Sequence, residues 1–169
     1  MPPQPDGIWE HAYLGNLWKE SKGVDRYRRA IYTYLKRTSP YPSLISFDAG
    51  SREVCLVRRS PSNTPLQALV TLNDPVFLEA ALNLANLNSD LPKPQAIKKM
   101  YKTAVYQEID DQILDLLERL FDEAYEDFDQ TPEKLQDFFN QESEVDQKLA
   151  ALAVVGNAIM NLDEFLTHG

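Results

Sequence analysis

Seven arginines, Arg26, Arg28, Arg29, Arg37, Arg52, Arg58 and Arg59, precede a short polar run that holds Asn63, Thr64, Gln67 and Asn73. A guanidinium presents forked N–H donors that match carboxylate, sulfate or phosphate oxygens, and a helix start adds free backbone N–H groups. Such residues can therefore build an anion or sugar site, with Arg52, Arg58, Arg59, Asn63, Gln67 and Asn73 as the candidate ligand-binding residues. The same arginines can instead be neutralised internally by Asp25, Asp48, Glu53 and Asp74. Both readings stay open at the level of sequence.

Other chemistries find less support. Cys55 is the only cysteine, so no internal disulfide, Cys-based zinc site or C-x-x-C-H haem attachment can form. Arg52, Arg58 and Arg59 would favour a thiolate at Cys55, but His11 and His168 are both remote along the chain and no base is in view. Cys55 is read as a small core residue. An EF-hand loop begun at Asp127 would place Pro132 where a glycine is required, so the acidic run after residue 109 reads as a solvated helix face and no metal site is assigned. Asp48 with Glu53, or Asp74 alone, could serve acid–base chemistry only in a setting that shifts a pKa. No catalytic residue and no cofactor follow from this chain.

The net charge of −9 is unevenly spread. Residues 1–75 carry ten Lys/Arg against seven Asp/Glu (+3), and residues 76–169 carry seven against nineteen (−12). This balance argues against nucleic acid as a partner, because phosphate neutralisation needs a concentrated basic surface. A hydrophobic fraction of 43% suits a globular chain. No apolar run approaches the roughly 20 residues of a membrane span, and the opening MPPQPDG lacks the basic and apolar parts of a signal peptide.

The elements that would position the arginine corner are helical. Asp25 is the expected N-cap of a helix over 25–37, with Tyr27, Ala30, Ile31, Tyr34 and Leu35 on its buried side. Pro40 and Pro42 stop it, and 44–48 is a further turn. The apolar run within 53–59 is either a brief extended segment or a buried turn of helix. Thr64-Pro65-Leu66-Gln67 fits a capping box with proline at the first helical position, and Asp74-Pro75 repeats the start signal at once. Helices are then expected over 94–106, 109–128, a short stretch after Thr131-Pro132 with Leu135, Phe138 and Phe139 inward, and 143–160. Gly156 inside the last of these predicts a close helix–helix approach. Trp9, Tyr13, Leu14, Leu17 and Trp18 form an aromatic patch expected to cover the domain. The fold class is mainly α, a compact multi-helix domain with long Pro-rich loops and at most a short extended segment near 53–58. A single domain over 1–169 is expected, divided into a lead-in (1–22), an Arg/Asn-rich region (23–88) and an acidic helical region (89–169).

The strings DRYRRAIYTYLKRTSPYPSLISFDAGSREVCLVRR, NTPLQALVTLNDPVFLEAA and NLDEFLTHG resemble the C-terminal domain of unknown function found in planctomycete-type cytochrome-c-like multidomain proteins. The resemblance covers most of the chain, most strongly over 23–82 and at the C-terminus. Two departures stand out: Leu35 occupies a place where that family often has Trp, and Pro61-Ser62-Asn63-Thr64-Pro65 stands for Arg-Thr-Asn-Thr-Pro, so one arginine is missing. The resemblance implies an extracytoplasmic protein at the periplasm or cell surface, truncated here, with haem in a different module. It implies partners among the other domains of the same full-length protein. A helical interaction or scaffold module whose corner takes an anionic or carbohydrate ligand is the expected function. The alternative is a catalytic domain acting on complex or sulfated glycans.

Overall fold

The computed structural model describes residues 19–35, 40–49, 62–135 and 146–167, and all regular structure among them is helical. Two short 3-10 helices, Gly23–Tyr27 and Ala30–Tyr32, are followed by α1 (Pro42–Ser46), α2 (Pro65–Asn73), α3 (Pro75–Asn86), α4 (Lys93–Val105), α5 (Asp111–Gln130), α6 (Gln147–Ile159) and α7 (Asp163–Leu166). The mainly α fold class holds. The extended segment expected near 53–58, Cys55, the aromatic patch at 9–18, both histidines, Phe138 and Phe139 lie outside the described residues. The chain divides into two compact units, Met1–Val70 and Thr71–Gly169.

In the second unit α6 is the centre. Its sequence QKLAALAVVGNAI is small and apolar on every side, which suits a helix surrounded by others. Ala150, Ala151, Leu152, Ala153, Val155, Gly156, Asn157 and Ile159 are all buried. Helices α3 and α5 make its most extensive contacts, and α4 packs on α5, α6 and α7. Helix α5 shows the opposite pattern: Leu114, Leu117, Phe121 and Phe128 enter the core while its outer side carries most of its eight acidic residues. Fully burying a side chain such as Ile97, Leu152 or Ile159 contributes about 1.5–3 kcal/mol.

Gly156 performs the predicted close approach. A Cβ added there would lie 3.2 Å from the Ala81 carbonyl oxygen on α3 and 3.2 Å from Met100 Cε on α4. Helix starts are fixed by side chains, at Asp74 as the sequence leads one to expect and also at Asp110 and Asp146, which the sequence reading does not mark as caps. Asp74 accepts from the Val76 N–H at 2.9 Å, Asp110 from Gln112 at 2.8 Å and Asp146 from Leu149 at 2.6 Å. Tyr106 ends α4 in the left-handed region (φ 63°), its N–H donating to the Lys102 carbonyl at 3.0 Å. Across the loop after α3, the Lys148 ammonium donates to the carbonyls of Ser89 and, at 3.2 Å, Leu91.

The end of α2 carries a consequence of the Asp74-Pro75 start. The last carbonyls of a helix lack intrahelical partners, and Pro75 has no N–H to offer. Asn157 Nδ2 on α6 supplies the donor, reaching the buried Thr71 carbonyl at 3.0 Å. The Thr71 hydroxyl in turn donates to Asn161 Oδ1 at 2.9 Å. Polar side chains at Thr71 and Asn157 are therefore built into the core.

In the first unit, the continuous helix expected over 25–37 is not formed. Arg28 (φ −70°, ψ 144°) and Arg29 (φ −57°, ψ 149°) are extended and separate the two 3-10 helices. Asp25 does not cap: its carboxylate accepts from Arg28 Nε at 2.7 Å. The would-be inner face is also unburied, with Tyr27, Ile31 and Tyr34 exposed. A helix of that length is marginal in water unless an apolar face is packed, and here it is not.

Candidate functional site

The described part of the arginine corner is organised by Asp48. Helix α1 starts with Pro42 at its first position and ends in a Schellman pattern: Ala49 N–H donates to Leu44 O at 2.9 Å and Asp48 N–H to Ile45 O at 3.2 Å. The residue after the cap in such an ending is left-handed and is usually glycine. Here it is Asp48, at φ 57°. Aspartate tolerates this region better than most residues, and the position turns its carboxylate back towards the loop that enters α2.

Asp48 Oδ2 accepts from the Ser62 N–H at 2.8 Å, the Ser62 hydroxyl at 2.7 Å and Gln67 Nε2 at 3.5 Å. Gln67 Nε2 also donates to Ser62 Oγ at 3.2 Å. On its other side Gln67 Oε1 accepts from the Thr64 N–H at 2.7 Å, while the Gln67 N–H donates to Thr64 Oγ1 at 3.3 Å. That is the complete capping box expected from the sequence. One glutamine, only 2% exposed, thus ties the helix start to Ser62 and Asp48. Each bond satisfies a group that would otherwise be costly to bury.

The Ser62 hydroxyl bond, then the Ser62 N–H and the Gln67 amide, lower the Asp48 pKa below its ordinary value, against the opposing effect of burial. An aspartate held ionised in this way is a poor general acid near neutral pH, and its role is to accept hydrogen bonds. In the second unit the Tyr101 phenol is shifted the other way: burial raises its pKa, with smaller contributions from Glu164 and Asp110. Among the described residues no group of three or more His, Cys, Asp or Glu side chains is arranged to hold a metal ion. No described helix is long and apolar enough to cross a membrane.

Of the six candidate binding residues, Asn63 and Gln67 stand at this corner, Asn63 exposed and Gln67 turned inward. Asn73 is exposed at the last position of α2. Arg52, Arg58 and Arg59 lie outside the described residues. Of the acids considered as arginine partners, Asp25 engages Arg28, Asp48 engages Ser62 and Gln67, and Asp74 caps α3. Ser62 is the member that sequence reasoning passed over. Nothing in its local pattern marks it, since its partner is 14 residues away.

These features define a helical module with a hydrogen-bonded polar corner at the entry to its second helix. The family described as "Protein of unknown function (DUF1553)" matches residues 1–121, and the chain belongs to that family. Comparison with curated proteins and comparison with solved structures return no match.

Proposed function

We propose that this chain is an interaction and scaffold module of an extracytoplasmic multidomain protein of planctomycete cytochrome-c-like type. Its arginine corner holds an anionic group, presented by a neighbouring domain of the same protein or by a sulfated or carboxylated glycan. Arg52, Arg58 and Arg59 supply the forked donors. Asn63 supplies neutral hydrogen bonds, and Gln67 acts as a positioning residue.

The observation that carries this reading is the Asp48–Ser62–Gln67–Thr64 network. It fixes the chain directly after the arginine-bearing segment while leaving its own carboxylate ionised with three donors on Oδ2, which is an arrangement for positioning and not for proton transfer. The test is calorimetric titration of the full chain with sulfated dextran and with neutral dextran. Binding confined to the sulfated polymer, weakened by salt and lost in R52A/R58A/R59A, is expected. Absence of binding, or equal binding by that variant, overturns the reading.

A further inference from the structure

We propose that the basic, tyrosine-rich segment 22–34 is a docking surface for the acidic outer face of α5 in a second copy of this chain. The segment reads KGVDRYRRAIYTY and carries Lys22, Arg26, Arg28 and Arg29 against Asp25. Val24 is 85%, Ile31 73% and Tyr32 64% exposed, and Tyr27 and Tyr34 are exposed with them. Single exposed apolar side chains need no explanation, but five within eleven residues do. The mixture is that of an interface core, where tyrosine and arginine are enriched. Arg28 is held for this purpose: Nε donates to Asp25 at 2.7 Å, and its guanidinium carbon sits 5.7 Å from the centroid of the Tyr32 ring.

The occupant is selected by charge. Helix α5 carries eight Asp/Glu and one basic residue, Arg119. Asp122 is matched by Lys93 at 2.8 Å and Asp127 by Lys134 at 2.6 Å. Asp115, Glu123 and Glu126 are exposed and make no ion pair among the described residues. Asp115 and Glu126 lie about three turns apart on one face. Leu116, next to Asp115, is 55% exposed and gives Ile31 and Tyr32 apolar surface to cover. A face with both features is what a basic and aromatic segment requires.

The test is sedimentation velocity of the full chain over a range of concentrations, at about 0.05 M and about 0.5 M salt, between which the screening length falls roughly threefold. Concentration-dependent association at low salt that dissolves at high salt is expected. K22E/R29E, which spares the Arg28–Asp25 contact and the corner arginines, should sediment as monomer. D115K/E126K should do the same. A mixture of the two variants, whose reversed charges complement one another, should associate again. Far-ultraviolet circular dichroism of each variant must match the parent, and a variant that fails this is replaced by K22A/R29A or D115A/E126A. A monomer at every concentration in low salt overturns the proposal. So does association that survives both charge reversals, or a mixture that stays monomeric.

Discussion

Replacing Asn157 by leucine removes the Nδ2 donor that the Thr71 carbonyl depends on, while keeping a side chain of similar size in the core. The regular helix bond to this carbonyl would come from the residue four positions on, which is Pro75 and carries no N–H. Removing one partner of a buried hydrogen bond costs about 1–3 kcal/mol, against about 0.5–1.5 kcal/mol for an ordinary hydrogen bond in net terms. With a urea slope of about 1–3 kcal/mol per molar, a loss of about 2 kcal/mol lowers the midpoint by roughly 1 M. For a chain of this size the same loss lowers Tm by about 4–8 °C. Asn157→Asp carries a second, separable expectation. At neutral pH it sets a carboxylate against a carbonyl and should be the more damaging change, but a protonated Asp side chain can donate. Its stability relative to the parent should therefore recover as pH falls. Urea unfolding followed at 222 nm reads both effects. A leucine variant within about 0.5 kcal/mol of the parent, or an aspartate variant whose relative stability does not recover in acid, would refute the assigned role of Asn157.

Thr64→Ala removes one side of the capping box and should cost about 1 kcal/mol, whereas Gln67→Ala, which also breaks the bonds to Ser62 and Asp48, should cost more; equal losses in urea unfolding would sink the linked network. Gly156→Ala gains about 1 kcal/mol of helix propensity, but its methyl group would crowd the Ala81 carbonyl, which is backbone and cannot swing aside, so a net fall in Tm is expected and a rise would show that α3 and α6 can separate. Tyr106→Gly relieves a left-handed tyrosine and should raise stability by about 1 kcal/mol, with no gain arguing against the φ assigned there. Because the folded Asp48 pKa lies below the unfolded value of about 3.9, its contribution is complete above that value and is lost as pH falls through the folded pKa. Asp48→Asn should therefore show less loss of stability below about pH 4 than the parent shows, and parallel acid curves would contradict the shift.

What could be read from the sequence was what lies close together along it. Thr64-Pro65 and Asp74-Pro75 announce helix starts because a cap and its acceptor are two or three residues apart, and both were found as expected. Gly156 announced a close contact because glycine is unfavourable in a helix without one, although its partners Ala81 and Met100 could not be named. The helix expected over 25–37 followed sound local signals. It failed because local periodicity has no force when the apolar face is left in solvent. The Asn157–Thr71 bond spans 86 residues and the Asp48–Gln67 bond 19, and no pattern within one element encodes either. Of the candidate ligand residues, Gln67 is the one whose side chain the structure turns inward, bonded to Asp48 and Ser62. Its buried side chain bonds Asp48, whose left-handed turn no residue type enforces.

Phenylglyoxal labelling of the intact chain, read by peptide mass spectrometry with and without sulfated dextran, tests the arginine corner most directly. Protection of Arg52, Arg58 and Arg59 by the sulfated polymer, with none by neutral dextran, is the predicted result. Equal labelling of those three arginines in the presence and absence of the sulfated polymer would contradict the assignment of the corner as an anion-holding surface.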